Sequence, residues 1–173
     1  DFYAAARWLF EHKYTDPDHL AIAGGSNGGL LVGTAMTQHP EMFRAVVCSY
    51  PLLDMLRYHK FLVARFWVPE YGSSEDRKQF EVLRAYSPYH NVKQGVDYPA
   101  LLLITGDSDT RVDPLHARKF AALMQASTGS ARPVLLHYDT KAGHSRGRPV
   151  STQIEDLTYE LSFLFGQLGV QVK

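Results

Sequence analysis

The sequence predicts an α/β fold built on a mostly parallel β-sheet with helices on both faces. Short apolar segments alternate along the chain with longer amphipathic segments. Strands that are apolar throughout are typical of a buried parallel sheet, because helices shield both of its faces from water. With 173 residues, the chain has the length of one domain and can bury a substantial core.

Apolar periodicity and turn residues set the predicted boundaries of these elements. Apolar side chains recur every three or four residues in the helical segments, whereas the strands are short continuous apolar runs. Pro40 is expected to end one helix, Pro69 to stop another, and Pro114 to lie in the first turn of a third. The predicted elements are helices over 1–13, 27–38, 53–68, 114–125 and 151–168, strands over 19–23, 45–48, 100–105 and 134–138, and a polar loop over 72–78.

Composition and charge exclude several classes of protein. The 18 Lys and Arg residues balance 18 Asp and Glu residues, so the chain has no basic footprint for nucleic acid or an anionic membrane. The single cysteine, Cys48, excludes an intrachain disulfide framework and a cysteine-rich zinc site, and we expect no cofactor. No apolar run has the length of a membrane span. The single cysteine and the absence of a visible signal peptide favour a cytoplasmic location.

A glycine-rich turn after the first predicted strand carries the first candidate for chemistry. Gly24, Ser26 and Gly28 form the pattern G-x-S-x-G between a predicted strand and a predicted helix. A serine on such a turn projects its hydroxyl clear of the sheet, and a Cβ at the flanking glycines is expected to collide with the neighbouring elements. The backbone N–H of Asn27 at the helix N-terminus is suited to stabilise an oxyanion. A phosphate-binding turn is the alternative, but G-x-G-x-x-G is not matched.

A serine nucleophile needs a general base and an acid that orients it, and both are expected after later strands. His144 follows the fourth predicted strand, although a surface-loop histidine is the alternative interpretation. Asp107 and Asp109 both follow the third predicted strand, and Asp113 is a weaker candidate near the next helix. Periodicity does not separate Asp107 from Asp109, and aspartates in such loops also form turns and helix caps.

Six longer motifs extend this interpretation over nearly the whole chain. They are GGSNGG (24–29), DMLRYHKF (54–61), WVPEYG (67–72), YSPYHNV (86–92), DTRVDPLHARKF (109–120) and KAGH (141–144). In this order the motifs resemble the prolyl oligopeptidase family of serine peptidases. The resemblance implies an α/β-hydrolase fold and cleavage of short peptides on the C-terminal side of proline through an acyl-enzyme.

The resemblance also implies catalytic roles for individual residues. Matched motif by motif, Ser26 is the nucleophile, Asp109 the acid and His144 the base, so the choice between Asp107 and Asp109 is made by analogy. Asn27 supplies a backbone donor to the oxyanion.

Four further residues match the family's substrate-binding positions. Trp67 and Tyr71 correspond to the aromatic residues of a proline pocket, and Leu52 to another apolar wall of it. Arg111 corresponds to the arginine that binds the peptide carbonyl one residue upstream of the proline. A proline ring is apolar and has no N–H, so an aromatic face and a fitting shape suit its selection. Core packing of the aromatic residues, and an ion pair between Arg111 and a loop aspartate, are the alternatives.

The resemblance makes residues 1–173 the C-terminal part of a hydrolase catalytic domain. The family's β-propeller, early strands and oxyanion-hole tyrosine lie upstream of the matched region, so we expect the rest of the same protein or a second chain to complete the fold. The segment 145–148 is more basic than the family's usual small residues and is expected to alter the rim of the site. Two alternatives stay open: a general esterase on the same scaffold, or a catalytically incompetent fragment that assists assembly or binds peptides.

Overall fold

In a computed structural model of the chain, which describes residues 1–144 and 149–171, four strands form one parallel sheet. Their order in the sheet is their order in the chain. The C-terminal ends of all four strands therefore meet at one edge, where the loops that follow them can combine side chains. The strands are β1 (Ala21–Gly25), β2 (Ala45–Ser49), β3 (Ala100–Gly106) and β4 (Val134–Asp139).

The helices pack on both faces of this sheet, as the apolar strands predict. The α-helices of the described residues are α1 (Phe2–Glu11), α2 (Asn27–Gln38), α3 (Val68–Tyr71), α4 (Arg77–Tyr86), α5 (Pro88–Asn91), α6 (Leu115–Ser127) and α7 (Val150–Leu168). Most predicted boundaries differ from these by one or two residues, as is usual where helix ends fray.

Alternating side chains of the central strands divide the core into two layers. Val46 and Leu101 belong to the larger cluster, which they share with α1, α2 and α6. Val47 and Leu102 point to the opposite face, where Phe163 of α7 covers them. This period of two follows from strand geometry, and it fixes the register in which β2 and β3 present their C-terminal ends.

The helix predicted over 53–68 is wrong. The chain there is irregular and contains two 3-10 turns, Tyr58–Lys60 and Ala64–Trp67, before the short helix α3. Long-range contacts override the local periodicity, because the hydroxyl of the fully buried Tyr58 donates to the carbonyl oxygen of Gly72 at 2.5 Å. Pro69 occupies the first turn of α3, where no N–H is needed, and so it starts a helix instead of stopping one.

The sequence interpretation also missed helix α4, which begins at Arg77 within the predicted loop over 72–78. Asp76 caps this helix, and its carboxylate accepts the backbone N–H of Gln79 at 2.9 Å. An acidic cap followed three residues later by glutamine is the pattern of a capping box. That spacing was therefore a usable signal for the start of the helix.

Two further sequence expectations concern the segment after His144 and the absence of a membrane span. The basic segment 145–148, expected to alter the rim of the site, lies outside the described residues. Within residues 1–144 and 149–171, no helix combines the length and the apolar character needed to cross a membrane.

Candidate active site

Ser26 lies at the turn between β1 and α2 with a strained backbone. Its φ of 57° and ψ of −118° are unusual for a residue with a side chain. Its backbone N–H donates to the carbonyl oxygen of Ser49 at 2.8 Å, which ties the turn to the end of β2. The side chain is thereby held at the edge of the sheet where the strands end.

The glycines around Ser26 serve different purposes. A Cβ at Gly24 would lie 2.2 Å from the carbonyl oxygen of Gly28, and one at Gly29 would lie 2.7 Å from the Cβ of Pro51. A Cβ at Gly28 would meet nothing within 4 Å, so the expected collision at that position is wrong. Gly28 contributes its backbone to the close approach, and Gly24 is the residue that must lack a side chain.

The structure brings Ser26, His144 and Asp109 together in one chain of hydrogen bonds. The Nδ1 atom of His144 lies 2.7 Å from Oδ2 of Asp109, and its Nε2 lies 3.2 Å from Oγ of Ser26. With the proton on Nδ1, the ring donates to the carboxylate and Nε2 is left to accept the serine hydroxyl. This arrangement is able to remove a proton from the hydroxyl as the oxygen attacks a carbonyl carbon.

Asp109 is held rigidly behind the imidazole. Its side chain is buried, and Oδ1 accepts the backbone N–H groups of Arg111 at 2.8 Å and Val112 at 2.9 Å. Because these bonds occupy one oxygen, the other is directed at His144. A carboxylate fixed in this way orients the imidazole and stabilises its protonated form.

The two competing aspartates have other partners. Asp107 accepts a hydrogen bond from the hydroxyl of Tyr138 at the surface. Asp113 accepts the backbone N–H of Leu115 at 2.9 Å, at the start of α6. The geometry thus separates the aspartates that periodicity leaves equivalent, and it gives Asp113 the capping contact expected of a turn aspartate.

The loops that carry Asp109 and His144 are locked together beside Gly106. The N–H of Ser108 donates to the carbonyl oxygen of Ala142 at 2.9 Å. A Cβ at Gly106 would lie 2.3 Å from that same oxygen. The absence of a side chain at Gly106 therefore allows the loop after β4 to approach the end of β3, which sets the distance between acid and base.

A pocket of about 240 Å³ opens beside the serine on the side of α3. Every residue predicted for substrate binding lines it, and one further residue, Glu70, does so too. The lining residues are Ser26, Asn27, Leu52, Trp67, Glu70, Tyr71 and Arg111. The sequence interpretation missed Glu70, although its position between the two predicted aromatic residues was a signal for it.

The aromatic walls of this pocket come from consecutive helical turns. Trp67 ends the second 3-10 turn and Tyr71 ends α3, so residues four apart face the same space despite Pro69 between them. The guanidinium carbon of Arg111 lies 5.9 Å from the centre of the Trp67 ring. The backbone N–H of Arg111, and not its guanidinium, bonds the carboxylate of Asp109.

Tyr71 links the pocket to the turn that carries the serine. Its hydroxyl donates to Oδ1 of Asn27 at 2.9 Å, and its ring packs edge-to-face on Tyr58. Burial raises the pKa of Tyr71 to about 12, and the neighbouring Glu70 carboxylate adds to the shift. The hydroxyl therefore remains a donor throughout the neutral range. Asn27 is the first residue of α2, so its backbone N–H has no acceptor within the helix.

Buried polar groups fix the segment after β2 that carries Leu52. Nδ1 of the buried His116 on α6 accepts the N–H groups of Leu53 at 3.3 Å and Asp54 at 3.1 Å. Burial lowers the pKa of His116 to about 4, so the ring is neutral at pH 7 and can accept both bonds. Leu52 is held against the pocket by this contact one residue away.

Asp54 joins the same segment to α6 through its fully buried carboxylate. Lys119 binds one carboxylate oxygen, and Nη1 of Arg57 lies 3.1 Å from the same oxygen. Burial alone would raise the pKa of Asp54, but the hydrogen bonds from Lys119 and Arg57 outweigh it and hold the pKa below its ordinary value. The carboxylate therefore stays charged and keeps the segment in place.

A larger groove of about 650 Å³ also borders Ser26. It lies between the ends of β1 and β2 and the helix α7, and its walls include Tyr50, His144, Ile154 and Leu157. Ser26 therefore borders two spaces of different size, whereas His144 lines the larger one.

Comparison with known proteins decides the family. A model of the prolyl oligopeptidase family matches residues 1–171. The chain belongs to the prolyl oligopeptidase family. The predicted resemblance and the α/β-hydrolase fold are thereby confirmed.

Relatives in this family share both sequence and structure with the chain. A prolyl endopeptidase of Elizabethkingia miricola is 43% identical over 99% of this chain and 24% of its own length. One of two structurally analysed prolyl endopeptidases is 55% identical, with a TM-score of 0.96 over 98% of this chain and 25% of the other. Prolyl oligopeptidase B of Galerina marginata, solved with a 35mer substrate after a serine was replaced by alanine, is 35% identical, with a TM-score of 0.94 over 100% of this chain and 24% of its own. The chain thus spans about a quarter of the length of these relatives.

Proposed function

We propose that this chain is the C-terminal part of the catalytic domain of a serine peptidase that cleaves short peptides after proline. The observation that carries the proposal is the hydrogen-bonded line from Asp109 through His144 to Ser26, which ends beside a pocket walled by Trp67. A hydrogen-bonded line of serine, histidine and aspartate alone fits many hydrolases. The adjoining aromatic pocket adds the preference for a proline ring.

In the first half of the reaction, the Oγ of Ser26 attacks the carbonyl carbon of the substrate proline. His144 takes the hydroxyl proton on Nε2, and the carboxylate of Asp109 stabilises the imidazolium that forms. The backbone N–H of Asn27 donates to the oxyanion. His144 then passes the proton to the leaving amine, the C–N bond breaks, and an acyl-enzyme ester remains on Ser26.

In the second half, water replaces the leaving amine. His144 removes a proton from the water as its oxygen attacks the ester carbonyl, and then returns that proton to Oγ of Ser26. The products are a peptide that ends in a proline carboxylate and the free serine. The same imidazole acts as base and acid in both halves, which requires that it stay near the position that Asp109 gives it.

Substrate selection follows from the chemistry of the smaller pocket. The ring of Trp67 offers an apolar face to the substrate proline, and the buried Leu52 closes another wall. The guanidinium of Arg111 donates to the carbonyl oxygen one residue upstream. Prolyl oligopeptidase B of Galerina marginata has been solved with substrates in serine, histidine and aspartate variants, which supports the same three residue types here.

The remaining length of the relatives suggests how this chain is completed. Among the described residues, β1 pairs with β2 alone, so its outer edge is available to a further strand. We propose that an upstream part of the same protein, or a second chain, covers this edge and supplies a second oxyanion donor. A cytoplasmic location likewise stays a prediction.

The larger groove favours a second candidate, a general esterase on the same scaffold. An open space of about 650 Å³ beside Ser26 can admit an acyl group that the smaller pocket would exclude. Parallel assays with a proline amide and a short acyl ester separate the two candidates. We expect a preference for the proline amide, and a strong ester preference without proline selectivity would favour the esterase.

The proposed nucleophile is tested by covalent labelling of the full-length protein. A fluorophosphonate should modify Ser26 in the wild type, and Ser26→Ala should lose both labelling and cleavage of the proline amide. The matched control is Ser162→Ala, which removes an exposed hydroxyl on α7 and should leave both unchanged. Wild-type cleavage by the Ser26→Ala protein would overturn the proposal.

A further inference from the structure

Tyr50 carries a large side chain in a backbone conformation that normally favours glycine. It follows β2 directly and has a φ of 48°. Its backbone N–H donates to the carbonyl oxygen of Ile104 at 2.7 Å, so the conformation is held by the end of the neighbouring strand. Unfavourable backbone conformations of this kind concentrate at functional sites, where the surrounding structure maintains them.

The half-buried ring of Tyr50 packs against the imidazole of His144. The two ring centres are 5.6 Å apart and the ring planes meet at 63°. This is the spacing and orientation that aromatic pairs prefer. Tyr50 also lines the larger groove together with Ser26 and His144, so the contact lies directly beside the reacting hydroxyl.

Two neighbours therefore restrain His144 in different ways. Asp109 orients the imidazole through one ring nitrogen, and a single hydrogen bond still permits the ring to tilt about it. Tyr50 contacts the ring itself and opposes that movement. The distance from Nε2 to the Ser26 hydroxyl, 3.2 Å, is sensitive to such a tilt because the hydrogen bond weakens steeply with angle and distance.

We propose that Tyr50 is a positioning residue that keeps Nε2 of the His144 imidazole within hydrogen-bond distance of the Ser26 hydroxyl. This inference rests on the proposed serine-hydrolase function. Tyr50 is absent from the lining of the smaller pocket, so it acts on the chemical steps and leaves proline binding alone. The contact from which we infer the restraint is the one between the two rings.

A purely structural role makes different predictions. Tyr50 also packs at the margin of the core layer that contains Val47 and Phe163. If packing were its only contribution, truncation would lower stability and leave the turnover of the folded protein unchanged. If it positions His144, glycine at this site would relieve the backbone strain and still lower turnover.

The experiment compares Tyr50→Phe, Tyr50→Leu and Tyr50→Gly in the full-length protein. We expect Tyr50→Phe to keep kcat within about twofold, and the leucine and glycine variants to lose about three- to tenfold, with KM for a proline substrate unchanged. The rate of fluorophosphonate labelling should fall in parallel, because that reaction also requires His144 as a base. Relief of the backbone strain should offset part of the stability that Tyr50→Gly loses with the packing of the ring.

The matched control for the backbone effect is Lys13→Gly. Lys13 is exposed at the end of α1 and has a φ of 60°, so glycine relieves similar strain far from the site. Its kcat should not change. Wild-type kcat in both Tyr50→Leu and Tyr50→Gly would overturn the inference, as would a Tyr50→Phe variant as slow as the glycine variant. A wild-type protein that is neither labelled nor active would instead overturn the proposed function.

Discussion

The proposed catalytic turns and the proposed substrate pocket lie side by side, but different contacts hold them in place. Ser26, Asp109 and His144 follow the ends of regular strands, and hydrogen bonds at and between these strand ends hold their loops. Apart from Arg111 and the serine turn, the pocket walls belong to the irregular segment between β2 and α4, which buried charges and a buried histidine hold to α6. Contacts at the strand ends thus position the proposed catalytic residues, whereas polar contacts to α6 position the walls of the smaller pocket.

This difference predicts that the two regions respond separately to substitution. Changes in the catalytic turns should lower turnover at constant stability and constant substrate binding. Changes in the pocket segment should alter stability or proline preference and leave covalent labelling of Ser26 intact.

The largest effect is expected for Asp109→Asn. An amide in place of the carboxylate favours the wrong tautomer of His144, and we expect kcat to fall by about four orders of magnitude. The matched control is Asp107→Asn in the same loop, which should keep its turnover because Asp107 contacts Tyr138 instead of the imidazole. Steady-state kinetics on a proline amide measure both, and equal losses in the two variants would contradict the assignment.

His116 should make the fold sensitive to acid. Its pKa is about 4 in the native state and near 6.5 when unfolded, so the unfolded chain binds more protons between these values. Stability is therefore fully present above pH 6.5 and falls as the pH drops towards 4, by roughly 3 kcal/mol in total.

Denaturant unfolding at pH 7 and pH 5 tests this sensitivity. The wild type should lose stability between the two values, and His116→Asn should lose less. An equal loss in both proteins would show that other groups are responsible. Covalent labelling of Ser26 in the folded His116→Asn protein should persist, because His116 contacts the pocket segment and not the catalytic turns.

Removal of the Trp67 ring should affect the preference for proline more than the chemical steps. We expect Trp67→Ala to reduce kcat/KM for a proline substrate by about tenfold or more, since the proline ring of the substrate loses the surface on which it stacks. The rate of fluorophosphonate labelling should stay near that of the wild type. A parallel loss of labelling would place Trp67 in the catalytic turn instead of the pocket.

The smallest effect is expected where the two regions meet. Tyr71→Phe removes the hydrogen bond from the hydroxyl to Asn27 and keeps the ring, so we expect a loss of about fivefold in kcat/KM. Tyr58→Phe is a suitable comparison, because its hydroxyl bonds Gly72 within the pocket segment and does not reach Asn27. A larger loss of kcat/KM in Tyr58→Phe than in Tyr71→Phe would argue against a link through Asn27.

The same contrast explains how much the sequence could predict. The G-x-S-x-G turn is visible in the sequence itself. Parallel strands share one edge for their C-terminal ends, so residues after later strands, such as Asp109 and His144, could be expected near Ser26. The resemblance supplied the choice of Asp109, and the hydrogen bonds of its carboxylate are consistent with that choice.

The pocket segment was harder to predict because distant contacts determine its shape. Apolar spacing suggested a helix over 53–68, but the buried carboxylate of Asp54 and the packing of Tyr58 impose an irregular path. The left-handed backbone of Tyr50 likewise depends on the neighbouring strand, and no local pattern in the sequence indicates it. Local periodicity carries no information on such contacts.

The central claim is that Ser26 is the nucleophile and His144 its base. Rapid-quench mass spectrometry of the full-length protein with an activated proline ester tests it most directly. We expect an early acyl adduct on Ser26, about one per chain, that accumulates faster than product is released. In His144→Ala the adduct should form far more slowly. Turnover with no adduct on Ser26, or an adduct on another residue, would contradict the account.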